Sequence, residues 1–157
     1  MPIKPRDNLP PPPTDMQNDR DGERIINGGA IYSLHEVKEH VIQLKINAFE
    51  FATESASNDL ITDLRWNLQD LCGFVCALEP CFYKRSVWCL PSSGIGVTPF
   101  PTDVYIMGYN KMLKKENPKQ NPWNYFKFSF SLTGNTIEIF SIHTEDKNKN
   151  KRYSTKK

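Results

Sequence analysis

The sequence predicts an α+β domain over residues 30–143, with two or three N-terminal helices packed on one face of a small antiparallel sheet. Three observations predict it. Apolar residues recur at helical spacing before Pro80, short aromatic and β-branched runs follow it, and Thr133-Gly134-Asn135 separates the last two runs as a hairpin connection. With 157 residues, of which 38% are hydrophobic, the chain is large enough for one core and too small for two comfortable ones.

Ser33 followed by Glu36 is a capping-box start, after which Leu34, Val37, Val41 and Leu44 share a helix face. Phe49 through Leu64 reads as a second helix with a break near Ser55-Ala56-Ser57-Asn58, whose small polar side chains compete for backbone hydrogen bonds. Asn67 caps a further helix with Asp70 in its first turn and Leu68, Leu71, Val75 and Leu78 as its stripe, ended by Pro80. Beyond it, CFYKRSVWCLP, PTDVYIM, YFKFSFSL and NTIEIFSIH read as strands. In YFKFSFSL, alternation places Tyr125, Lys127, Ser129 and Ser131 on an open face, and Phe126, Phe128, Phe130 and Leu132 against the helices.

Residues 1–28, with the run Pro10 to Pro13, read as a flexible arm outside the domain, and residues 144–157 as a basic disordered tail. The longest apolar stretch, Leu71 to Leu78, is far short of the roughly 20 residues that span a bilayer. The start MPIKPRDNLPPPP has no apolar signal core, so the expectation is a cytoplasmic chain with no membrane partner. Four cysteines, Cys72, Cys76, Cys81 and Cys89, lack the paired short spacings of a zinc site and read as structural thiols. His35 and His40 are one residue too far apart for H-E-x-x-H, and no Walker loop or G-x-S-x-G occurs, so metal, nucleotide-cofactor and serine-hydrolase chemistries are not expected.

The net charge of +2 conceals a segregation. Residues 26–80 hold three Lys/Arg against eight Asp/Glu, whereas residues 81–143 hold seven against three, so the second half presents a cationic field suited to a polyanion. Lys84, Arg85, Tyr83, Tyr125, Lys127 and His143 fall in that half. They supply what metal-free RNA cleavage needs: a base for the 2′-hydroxyl, a cation for the charge on phosphorus and an acid for the leaving 5′ oxygen.

The order of segments SLHEVKEHV, LQDLCGFVCAL, CFYKR, TDVY, YFKF and IEIFSIH resembles the MqsR-type toxins of bacterial toxin–antitoxin systems, RNases of the wider RelE-like fold. The resemblance implies cleavage of single-stranded messenger RNA, a cognate antitoxin protein as partner, and catalytic roles for Lys84 and Tyr125. In the family pattern a glutamine precedes Asp-Val-Tyr where this chain has Thr102, and the closing strand ends in a catalytic lysine where this chain has His143. An imidazole serves as base or acid more readily than an unperturbed lysine. On this reading Lys84 stabilises the phosphorane and Tyr125 and His143 divide positioning and proton transfer in either order. Lys127 holds a flanking phosphate, Arg85 and Thr102 complete substrate binding, and Trp123 stacks on a base. The alternatives are a non-catalytic RNA- or protein-binding module on the same fold, and an interaction protein whose acidic helices make the main contact.

Overall fold

The computed structural model describes residues 2–14, 16, 24–91, 98–120 and 122–145. The expected tail beyond residue 145 lies outside them. Helix α1, Leu34–Leu44, starts where Ser33 accepts a hydrogen bond from the Glu36 amide at 3.3 Å, and it buries Val37 and Val41. Helix α3, Leu68–Ala77, carries the full capping box between Asn67 and Asp70 and buries Leu71, Phe74 and Val75.

The expected helix from Phe49 to Leu64 is corrected at its start. Phe49–Phe51 form strand β1, and α2, Glu54–Thr62, begins only after Thr53, whose hydroxyl accepts from the Ala56 amide. The break therefore falls at Ala52-Thr53 and not near Ser55–Asn58, because the Ala52 amide is already donated to Ile139 of the neighbouring strand at 2.8 Å. That backbone bond, with the Thr53 cap, outweighs the helical preference of the flanking residues.

Strands β2 (Tyr83–Cys89), β3 (Phe100–Met107), β6 (Asn124–Phe130) and β7 (Ile137–Thr144) join β1 in a five-stranded sheet of order β1-β7-β6-β3-β2. A separate hairpin pairs β4, Tyr109–Asn110, with β5, Lys115–Glu116. The main sheet is mixed rather than antiparallel throughout, since β1 runs parallel to β7. All three helices cover one face, with Val37, Val41, Leu71 and Phe74 meeting Phe126, Phe128, Ile139 and Ile142 in one cluster. Leu132, expected on that face, is exposed instead because β6 ends at Phe130 and the turn carries it into solvent.

The described part of the arm is not outside the domain. Ile3 is 6% exposed and its amide donates to Gly134 in the β6–β7 turn, while the Arg6 amide donates to Ile31. Met16 is also buried in the main cluster and Leu9 packs on it, so scattered apolar residues anchor a proline-rich stretch. Gly134 is required where it stands: φ is +78°, and a Cβ there would meet the Ile3 carbonyl oxygen at 2.6 Å. Ile3→Ala is expected to cost about 2–4 kcal/mol, as for other buried isoleucines, and urea unfolding of the full chain measures it.

Glu50 and Glu138 are side-by-side partners of the parallel β1–β7 pair. Burial, and then the hydrogen bond and charge of Glu50, raise the Glu138 carboxyl from its ordinary 4.5 to about 7. The folded state therefore keeps a proton that the unfolded chain releases, and stability falls as the pH rises from about 4.5 to about 7. Glu138→Gln is expected to flatten that slope in a series of thermal melts across this window and to raise Tm at its upper end.

Candidate nucleic-acid interface

Along β6, Phe126 and Phe128 point to the helices while Tyr125 and Lys127 belong to the other face of the sheet. Tyr125 lies between Ile106 of β3 and His143 of β7, and Lys127 lies between Val104 and Ser141. This outer face holds its own apolar cluster, in which Val104, Ile106 and Tyr125 pack together with Trp123 alongside. Tyr125 is consequently 6% exposed, which corrects the expectation that it stands on an open surface. Lys127 is half-buried.

The rings of Tyr125 and His143 stack at 4.8 Å between centroids and 6° from parallel. His143 Nδ1 is 2.8 Å from the Thr144 carbonyl oxygen. When Nδ1 carries the proton and donates it there, the lone pair of the ring resides on Nε2. The position of His143 is fixed further by the next residue, whose amide donates to the Asp63 carboxylate at the end of α2 at 2.6 Å.

The cation that reaches Tyr125 is Arg85. Its Nη2 lies 3.4 Å from the phenolic oxygen, and its guanidinium carbon is 5.9 Å from the ring centroid, within cation–π range. A register shift between Tyr83 and Arg85 is responsible: Tyr83 pairs with Tyr105, Arg85 pairs with Val104, and Lys84 is the extra residue of the bulge. Lys84 lines an adjoining depression of about 490 Å³ with Lys119, Gln120 and Trp123. Trp123 joins that depression to the Tyr125 cluster. Its indole N–H is 3.4 Å from the Pro118 carbonyl oxygen, and its ring meets Phe82 edge-on at 6.4 Å.

Thr102 does not belong to this site. It is fully buried, and its hydroxyl donates to the Val87 carbonyl at 2.7 Å, so the expected substrate contact is corrected to a strand-to-strand bond. Its neighbour Asp103 is also buried and faces the opposite way, accepting from the amides of Ile31 and Tyr32 and from the Ser86 hydroxyl. Burial raises the Asp103 carboxyl, against those donors and the charge of Arg6.

Four of the seven sequence-derived candidates, Arg85, Tyr125, Lys127 and His143, therefore lie on one sheet face, with Lys84 and Trp123 at its margin and Thr102 in the interior. No signal in the sequence marks Arg85 above Lys84, because the bulge that decides between them depends on pairing with a strand 15 or more residues away. The four cysteines are free, and only Cys89 is buried. Among the described residues no three His, Cys, Asp or Glu side chains gather as a metal site, and no helix is long and apolar enough to cross a membrane. Comparisons with protein-family models, with curated proteins and with solved structures find no match to this chain.

Proposed function

We propose that this chain is a metal-independent endoribonuclease, an mRNA interferase toxin of RelE-like fold acting in the cytoplasm on single-stranded RNA and restrained by a cognate antitoxin protein. The observation that carries the reading is the Arg85–Tyr125–His143 grouping on one face, with Lys127 beside it. His143 Nε2 takes the proton of a 2′-hydroxyl, whose oxygen attacks the adjacent phosphorus. Arg85 and Lys127 offset the charge that builds on the phosphoryl oxygens. The Tyr125 hydroxyl, beside Arg85, gives its proton to the departing 5′ oxygen. The products are a 2′,3′-cyclic phosphate and a 5′-hydroxyl, and DNA is not a substrate because it lacks the attacking group.

The burial of Tyr125 favours a second reading, in which the same cationic face grips RNA without cutting it. Expression separates the two. Induced wild-type chain is expected to arrest bacterial growth, and His143→Ala or Arg85→Ala to restore it at equal protein level, whereas a binding module is tolerated in all three forms.

A further inference from the structure

On the helical side of the molecule, away from the sheet face just described, a groove of about 860 Å³ runs between the end of α1, the tight turn Lys45–Ala48 and α3. Nine large apolar side chains are exposed among the described residues, and three of them, Ile42, Leu44 and Ile46 at 56%, 41% and 41%, line this one groove. Two more, Met112 and Leu113, lie in the loop between Lys111 and Lys114, which form its far wall. Isolated exposed apolar residues are ordinary, but a concentration in one concavity marks a contact surface.

The rim carries a net positive charge. Lys45, Lys111 and Lys114 line the groove with Asp70 as the acid among them, and Asp70 is already 3.8 Å from Lys111. Two of these lysines hold backbone conformations that glycine adopts more easily: Lys45 has φ 54° and ψ −129°, and Lys114 has φ 55°. Residues 146–157 carry six basic side chains against one acidic, the same sign as the rim, so the chain's own C-terminus is not a suitable occupant.

We propose that this groove binds an acidic amphipathic helix of a partner protein. The apolar stripe of such a helix packs on Ile42, Leu44 and Ile46, in the manner of a helix laid in a hydrophobic groove, and its flanking carboxylates meet Lys45 and Lys114. The charge of the rim then sets which amphipathic helices are accepted, because a basic one brings like charges together over the same apolar floor.

Fluorescence anisotropy of the full chain with two labelled helical peptides of about 18 residues tests this, one with glutamates and one with lysines flanking an identical leucine stripe. The acidic peptide is expected to bind at least about tenfold more tightly than the basic one. The Ile42→Ser/Ile46→Ser double variant is expected to weaken it about tenfold or more, and bound peptide to slow alkylation of the groove residues Cys72 and Cys76, mapped by mass spectrometry. Lys45→Gly removes one of the three rim lysines and relieves the positive φ together, so weaker binding by that variant does not come from unfolding. Absent binding of the acidic peptide, equal binding of both, or binding that survives all three substitutions overturns the proposal. So does displacement of the peptide by single-stranded RNA, or a concentration-dependent dimer that Ile42→Ser abolishes, which would show a second copy of the chain in the groove.

Discussion

Replacing His143 with alanine is expected to lower the rate of RNA cleavage by about 10²–10⁴-fold, the range that a positioned general base contributes. The stacked geometry allows a sharper expectation. Because His143 lies flat on Tyr125 at 4.8 Å, removing the imidazole also removes the ring that covers one side of the phenol. Tyr125→Phe keeps the ring but loses the hydroxyl beside Arg85, so it should slow the reaction while leaving RNA affinity nearly unchanged. Arg85→Ala should weaken both, since a cation on this face serves binding as well as charge on the phosphoryl group. Single-turnover kinetics with one oligonucleotide, alongside binding to its 2′-deoxy analogue, separate these outcomes.

Asp103→Ala is expected to produce the largest loss of stability, about 3 kcal/mol or more, at about 1–3 kcal/mol for each buried donor left without an acceptor. Two buried amides depend on this carboxylate, Ile31 at 2.9 Å and Tyr32 at 3.0 Å, and the Ser86 hydroxyl, which also lies 2.7 Å from the Tyr83 hydroxyl, is 2.6 Å from it. The carboxylate thereby ties the segment before α1 to β3. The loss should reach the arm too, because the Arg6 amide is held by the carbonyl of Ile31. Asp103→Asn keeps the volume but turns an amino group toward donors, so it should be only partly better than alanine. Denaturant midpoints for the three forms give the comparison, with an unchanged slope showing that the native fold is retained.

The features legible in the sequence are those set by near neighbours. The caps at Ser33 and Asn67, the stripe on α3, the alternation on β6 and the Gly134 turn each depend on residues a few positions apart. The features that were not legible depend on distant pairing. A three-residue β1 has too little pattern of its own and exists because β7 accepts it in parallel. The bulge at Lys84 chooses Arg85 as the residue over Tyr125, and a second irregularity opposite Lys127 and Phe128 shifts the register on β7. Thr102 was a candidate because of its place directly before Asp103-Val104-Tyr105, and that position says nothing of what covers it. The docking of Ile3 was hidden for a related reason, since one isoleucine among prolines carries no periodic signal.

The termini of the cut RNA decide whether this chain cleaves by 2′-hydroxyl attack. Purified wild-type chain is incubated with a synthetic single-stranded RNA in excess chelator, and the fragment ends are mapped beside those from His143→Ala and Arg85→Ala. The expected result is cutting without metal that leaves 2′,3′-cyclic phosphate and 5′-hydroxyl ends and is lost in both variants. RNA that is bound but stays intact, or cutting that is equally strong in His143→Ala, would contradict it.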